Sequence, residues 1–298
     1  MSQDMNSENI TEGYMPYLGH KTYYRIVGKS GGKTPLVLLH GGPGSTHNYF
    51  EVLDSIANTG RQVIMYDQIG CGKSYLDGHP ELWTKETWIN ELIALRNYLH
   101  LNEIHLLGQS WGGMQAIAYL IDEKPVGVKS VILSSTLSSS KLWADEQHKL
   151  IAQLSEKDQQ AILQAEVTKN WDDSAYLLAN EHYYAAFVTS NNANTPECVT
   201  RKKKVGHEAY LYGWGPNEYQ PTGSLRDFYY TDRLHEIKIP ALIISGSRDI
   251  CTPTVARTLK EGIPESQWEL FEGARHMCFV EQNDKYCKLL SKFLAEHD

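Results

Sequence analysis

Ser110 stands in the run Gly108-Gln109-Ser110-Trp111-Gly112-Gly113, a serine with a glycine two residues to either side. That spacing suits a nucleophile at a sharp strand-to-helix turn: a Cβ at either glycine would collide where the chain doubles back, and the free N–H groups opening the helix face whatever the hydroxyl attacks. Three fixed positions arise by chance only roughly 0.1 times in a chain of this length, and the setting strengthens them further. Residues 103–107 are suited to a strand, and 114–120 have the composition of a helix packed on a sheet. A serine hydroxyl is a poor nucleophile at neutral pH and needs a base. Asp249, in Gly246-Ser247-Arg248-Asp249, and His276, in Gly273-Ala274-Arg275-His276, supply the missing parts. His276 would take the serine proton and return it to a leaving group, while Asp249 fixes the imidazole tautomer and stabilises the imidazolium. The chemistry is acyl transfer, and its oxyanion needs backbone donors. Trp111, directly after the serine, offers one N–H; the loop His40-Gly41-Gly42-Pro43-Gly44 offers another, placed at Gly42. Each donor is typically worth about 3–4 kcal/mol.

The elements that must hold these residues read in a regular order. Two short strands over 13–27 join near Leu18-Gly19-His20, apolar runs at 35–39 and 128–133 have the character of strands buried in the sheet, and further strands are expected at 62–66, 240–245 and 268–271. Between them lie helical segments at 48–57, 87–101, 253–261 and 280–294, the second carrying Trp88, Leu92, Leu95 and Leu99 at helical spacing. Such alternation means a mostly parallel central sheet with helices on both faces, which binds ligands at the carboxyl ends of its strands. Ser110, Asp249 and His276 each follow a predicted strand, and their order is that of the α/β-hydrolase fold. From 137 to 232 the pattern changes to helices at 144–154, 157–169 and 174–186, a polar stretch at 190–195 and an aromatic run at 210–230. The expected organisation is therefore a core of 1–136 and 233–298 with a helical cap of 137–232 inserted in it. Trp143, Trp171, Tyr183, Tyr184, Tyr210, Tyr212 and Trp214 are its candidate pocket aromatics, and Arg201-Lys202-Lys203-Lys204 reads as a solvated face. Residues 1–10, polar and unpatterned, read as a loose tail.

Composition bounds the function. The chain has 298 residues, 41% hydrophobic and 21% charged, with a formal net charge of −8, which argues against a nucleic-acid backbone as partner. It contains no 18-residue apolar run, so no membrane-spanning helix is expected, and the polar, acidic N-terminus has no signal-peptide core. Five cysteines, Cys71, Cys198, Cys251, Cys278 and Cys287, form no C-x-x-C pair, consistent with reduced thiols in the cytoplasm. The twelve histidines show no metal spacing, so neither metal nor cofactor is expected. Asp67 to Ser74 ends in Gly-Lys-Ser, but the glycine that a phosphate loop needs five residues earlier is Asp67. Cys71, Cys251 and Cys278 fall close to the expected site, which suggests blockage by bulky thiol reagents.

Taken together, His40-Gly-Gly-Pro-Gly44, Gly108-Gln-Ser-Trp-Gly-Gly113, the Asp249 segment S-G-S-R-D-I-C-T-P and Arg275-His276-Met277 resemble the proline iminopeptidases, prolyl aminopeptidases of the α/β-hydrolase fold. The resemblance runs from about Gly13 to the C-terminus. It implies that Glu218, in Gly215-Pro216-Asn217-Glu218-Tyr219, receives the substrate's free amino terminus, and Tyr210 is a further candidate substrate-binding residue. A carboxylate in a desolvated pocket suits an ammonium group through charge-assisted hydrogen bonds. Some members of that family carry a second acidic residue directly after the triad aspartate; here that position is Ile250. The expected activity is a serine aminopeptidase releasing N-terminal residues, preferably proline, from short peptides or amino-acid amides with a free N-terminus. Rival readings are an amidase or small-acyl esterase on the same triad, which would have no use for Glu218, and a non-catalytic binding protein, which would show a degraded triad. Ser110 argues against the aspartate-nucleophile enzymes of this fold.

Overall fold

The computed structural model describes residues 9–189 and 191–298. The predicted loose tail falls mostly outside them, as does residue 190 at the head of the predicted polar stretch. Ile10, by contrast, already opens the first strand. Eight strands, β1 (Ile10–Tyr17), β2 (His20–Val27), β3 (Leu36–Leu39), β4 (Val63–Tyr66), β5 (Ile104–Gln109), β6 (Val128–Ser134), β7 (Ala241–Gly246) and β8 (Ser266–Phe271), form one sheet in the order β1-β2-β4-β3-β5-β6-β7-β8. β1 and β2 pair as a hairpin through Leu18-Gly19, both at positive φ, and β2 lies antiparallel to β4; every later pairing is parallel.

The sheet is buried on both faces because its strands alternate between two apolar layers. Leu36 and Leu38 of β3 join Phe50, Leu53, Ile56, Tyr286 and Leu290 on one side, while Val37 and Leu39 join Trp88, Leu92, Met114 and Ile117 on the other. Each such side chain stabilises the fold by about 1.5–3 kcal/mol. The second layer contains α1 (Lys85–Tyr98), α2 (Trp111–Ala118) and α8 (Pro253–Gly262). The first contains residues 47–59 and the C-terminal helices α9 (Cys278–Glu281) and α10 (Asn283–Glu296). Two helices differ from expectation. Residues 47–59 form a 3₁₀ helix; among its buried side chains His47, Phe50, Leu53 and Ile56 recur every third residue, the period of that helix, with Tyr49 buried beside them. The single helix expected over 280–294 is interrupted at Gln282, whose φ of −129° and ψ of 50° break the helical run.

Between β6 and β7 come α3 (Ser140–Ile151), α4 (Glu156–Thr168), α5 (Ser174–Phe187), α6 (Glu197–Thr200) and α7 (His207–Gly213), and none of the eight sheet strands. Ser139, Ser155 and Asp173 cap the first three helices by accepting backbone N–H bonds, which explains where each starts. The ends of the insertion are tied together: Tyr230 N donates to Ser138 O at 2.8 Å, and Ser140 N to Phe228 O at 3.0 Å.

Candidate active site

Ser110 occupies the turn between β5 and α2 with φ 56° and ψ −122°, a backbone state costing a non-glycine residue on the order of 1–3 kcal/mol. Its surroundings hold it there. Ser110 N donates to Ser134 O at 3.0 Å, and Ser110 O accepts from Gly113 N at 2.9 Å and from Thr136 Oγ1 at 2.6 Å. The flanking glycines are required by contact: a Cβ on Gly108 would lie 2.2 Å from Gly112 O, and one on Gly112 would lie 2.0 Å from Leu39 O.

His276 and Asp249 meet as expected. The His276 Nδ1–H donates to Asp249 Oδ1 at 2.7 Å, which in the neutral ring makes Nε2 the lone-pair nitrogen, the tautomer a general base needs. Asp249 is buried and oriented by three more donors, Cys251 N at 2.8 Å on Oδ1, with Ser135 Oγ at 2.6 Å and Gly246 N at 3.2 Å on Oδ2. The edge of the Trp143 indole meets the His276 ring, centroids 6.1 Å apart.

The two candidate oxyanion donors come from elements that are tied together. As the first residue of α2, Trp111 has an N–H with no acceptor within its own helix. Gly42 lies at φ 115°, where a Cβ would press on the amides of Gly44 and Ser45. Two bridges connect the loops. Gly41 N donates to Tyr49 OH at 2.5 Å, and that hydroxyl donates to Gln109 Oε1 at 2.9 Å. Gln68 Nε2 donates to His40 O at 3.0 Å, while Gln68 Oε1 accepts from Trp111 Nε1 at 2.8 Å. Gln68 N also donates to His40 Nε2 at 3.0 Å, so the ring proton sits on Nδ1 and points to Gly41 O, 2.9 Å away. Burial holds His40 neutral, its pKa pushed down to about 4. Sequence reasoning missed Gln68 and Tyr49, since nothing local marks residues that act through contacts with distant parts of the chain.

Ser110, His276 and Glu218 line one cavity of about 530 Å3, together with Gly42, Tyr184 and Tyr210. Glu218 Oε1 accepts from Tyr210 OH at 2.9 Å and Tyr184 OH at 3.3 Å. Burial raises its pKa, while the nearby His276 and the two phenols act the other way, favouring the carboxylate. The backbone carrying it is fixed by two indoles, with Trp143 Nε1 donating to Glu218 O and Trp214 Nε1 to Asn217 O, each at 3.0 Å. Of the seven candidate pocket aromatics, Tyr184 and Tyr210 line the cavity. Trp143 and Trp214 support Glu218 and His276 from behind, and Tyr212 is exposed.

The α/β hydrolase fold family matches residues 34–282. A proline iminopeptidase of Clostridioides difficile (strain 630) is 60% identical over 291 residues, covering 97% of this chain and 99% of that protein. One from Lactobacillus crispatus (strain ST1) is 56% identical with the same coverage. The chain belongs to the proline iminopeptidase family of α/β hydrolases. Among solved structures of this fold, VinJ superposes with a TM-score of 0.89 at 29% identity, covering 97% of this chain and 99% of that one. The proline iminopeptidase of Mycobacterium smegmatis does so with a TM-score of 0.84 at 30% identity, covering 96% and 98%.

Several local expectations need correction. Ile250, standing where some family members carry an acid, is fully buried, and its carbonyl accepts from Gln147 Nε2 at 2.8 Å; Glu218 is the one carboxylate lining the cavity among the described residues. The basic run is not wholly a solvated face, since Lys203 is half-buried and lines the cavity. Cys71, Cys251 and Cys278 do lie near the site but are buried, and burial raises all three thiol pKa values, leaving them poor targets for reagents. His40, Asp67 and Cys71 bring three potential ligand atoms within 4.8 Å of one another. Each is otherwise engaged: His40 Nε2 by Gln68 N, Asp67 by His47 and the Lys73 amide, and Cys71 Sγ by Gln68 O. The Asp67 carboxylate packs directly on Gly72, its Oδ2 2.2 Å from where a Cβ would stand, and accepts from the Lys73 amide at 2.8 Å.

Proposed function

We propose that this protein is a serine aminopeptidase that releases N-terminal residues, proline preferentially, from short peptides through an acyl-enzyme. The observation that carries this reading is the placement of Glu218, a partly buried carboxylate facing the cavity that holds Ser110 and His276. A substrate with a neutral acyl end has no use for a charge there, whereas a free N-terminal ammonium recovers the desolvation cost of the carboxylate. The names carried by the similar proteins support the same reading.

In the proposed sequence the substrate ammonium sits on Glu218 and its first carbonyl enters the Gly42 and Trp111 amides. His276 Nε2 takes the Ser110 proton as Oγ attacks, then delivers it to the departing amine, so the shortened peptide leaves neutral at its new N-terminus. Water, deprotonated by the same nitrogen, cleaves the ester and frees the amino acid. Asp249 holds the imidazole throughout. We further propose that residues 137–232 act as a cap over a core of 1–136 and 233–298, excluding long folded chains. A cytoplasmic setting follows from the thiol pattern, and among the described residues no helix is long and apolar enough to cross a membrane.

The test is turnover of proline, alanine and leucine p-nitroanilides, N-acetyl-proline p-nitroanilide and p-nitrophenyl acetate by the wild-type protein and Ser110→Ala. The proposal expects proline anilide to be cleaved best, acetylation to depress cleavage strongly, and Ser110→Ala to lose at least about 10⁴-fold in kcat. Preference for acetylated or ester substrates would move the function to an esterase or amidase.

A further inference from the structure

Among the described residues Glu218 is the one acid in the cavity lining, and the same lining contains a lysine. Lys203 is half-buried there, its ammonium 5.4 Å from the centre of the Tyr49 ring. Within the same basic run Arg201 is paired with Glu51 at 2.8 Å and Glu197 at 2.7 Å. Lys203 makes no ion pair or hydrogen bond to a carboxylate among the described residues. An ammonium removed from water without a partner is costly to fold, and a ligand carrying the opposite charge recovers that cost.

The two charges have different neighbours: Glu218 is bonded to Tyr184 and Tyr210 and backed by Trp143, which also meets His276, whereas Lys203 stands over Tyr49. Glu218 acts electrostatically on His276, whereas Lys203 acts on His40 and feels Asp67, beneath the Gly42 loop. Tyr49, under Lys203, is hydrogen-bonded to both that loop and Gln109, next to the nucleophile. A peptide with its ammonium on Glu218 and its first carbonyl at Ser110 therefore runs its leaving portion toward Lys203. Outside, Lys203 also borders a surface groove lined by Lys73, Lys202 and Lys204 together with Glu12, Glu51 and Asp67; among the described residues Lys202 and Lys204 make no ion pair, whereas Glu12 pairs with Lys73 and Glu51 with Arg201.

We propose that Lys203 receives the free C-terminal carboxylate of a short peptide, so that the cavity reads both ends of a zwitterionic substrate. This rests on the aminopeptidase reading and adds to it a preference in the leaving group: free-acid di- or tripeptides over their C-terminal amides. Lys203 is then a specificity residue that touches substrate away from the scissile bond, and its contribution falls on KM more than on kcat.

The experiment compares Pro-Gly with Pro-Gly-amide and Pro-Gly-Gly with its amide, alongside proline p-nitroanilide, in wild type, Lys203→Met, Lys203→Gln and Lys203→Arg. In at least one pair the wild type should favour the free acid by about 10- to 100-fold in kcat/KM, the range of a charged hydrogen bond. Lys203→Met and Lys203→Gln should bring that ratio close to one, chiefly through KM, and Lys203→Arg should retain most of it. A ratio unchanged by Lys203→Met, or acid and amide lost equally in both neutral variants, overturns the assignment. Wild-type protein that cleaves the peptides and the anilide with no acid preference defeats the Lys203 inference alone. Failure to cleave any free-amine proline substrate defeats the aminopeptidase reading beneath it.

Discussion

Gly112→Ala tests whether the packing of the serine turn sets the catalytic geometry. The added Cβ would stand 2.0 Å from Leu39 O, 2.5 Å from Leu39 C and 2.9 Å from His40 O. These are backbone atoms at the end of β3 and cannot rotate away. Carbon and carbonyl oxygen settle at about 3.3 Å or more, so α2 and the end of β3 must separate by about 1 Å. That separation pulls apart the two segments that carry the proposed oxyanion amides, Trp111 on one side and the 40–44 loop on the other. Overpacking of this kind costs about 1–3 kcal/mol, or a fall in Tm of about 2–10 °C for a chain of this size. Misplacement by 1 Å costs about 10²-fold in rate, and loss of one oxyanion donor about 10²- to 10³-fold. The expected result is a folded protein whose kcat on proline p-nitroanilide falls by at least about 10²-fold, with a smaller change in KM because Glu218 is carried by other elements. Gly19→Ala is the control: unlike the helical Gly112, Gly19 stands at a φ of 77°, so alanine strains its backbone, but a Cβ there meets nothing within 4 Å. It should lose about 1–2 kcal/mol of stability and keep its kcat. Gly112→Ala protein with wild-type kcat would refute the reasoning, as would equal loss of kcat in Gly19→Ala.

Two further outcomes follow from buried groups. Glu91 is fully buried, accepting from Thr22 Oγ1 and the Ile69 amide, and burial raises its pKa to about 8. A carboxyl whose folded pKa is raised binds its proton more tightly when folded, so this contribution is complete below the ordinary pKa of about 4.5 and is lost as pH rises through about 8. Between pH 5.5 and 8 the wild type should therefore lose up to about 3 kcal/mol relative to Glu91→Gln, measured as the difference in urea unfolding free energies; parallel curves would contradict it. Bulky maleimides should leave activity intact in the native protein, because Cys71, Cys251 and Cys278 are buried with raised pKa values. Labelling should concentrate on Cys287, the one half-buried cysteine; inactivation that tracks modification of Cys251 or Cys278 would contradict that.

The serine turn and the Asp249–His276 pair were legible in the sequence because each depends on a local signal. A serine between glycines, an aspartate just past an apolar run and a histidine after another place themselves once the alternation of strands and helices is recognised. Glu218 came from resemblance to a family segment, and the structure sets it beside Tyr184 and Tyr210 in the cavity of Ser110. What remained hidden was long-range or contrary to local character. Gln68 joins His40 to Trp111 across three elements, and no pattern near residue 68 signals that. Lys203 lies in a run whose charge says solvent, yet the chain around it packs on the core, with Gly206 N donating to Gly44 O at 2.7 Å and Gly72 N to Lys204 O at 2.7 Å. A helix near 48–57 was expected from the sequence, but its 3₁₀ winding over 47–59 was not read from it.

The most direct measurement of the central claim is a double comparison of kcat/KM for proline p-nitroanilide and its N-acetyl derivative in wild type and Glu218→Gln. Glutamine keeps the acceptor oxygen for Tyr210 and Tyr184 and removes only the charge. If Glu218 reads the substrate ammonium, the preference for the free amine falls by about 10- to 100-fold in the variant, with the acetylated substrate unaffected. An equal preference in both proteins would show that the ammonium is recognised elsewhere and would contradict the account.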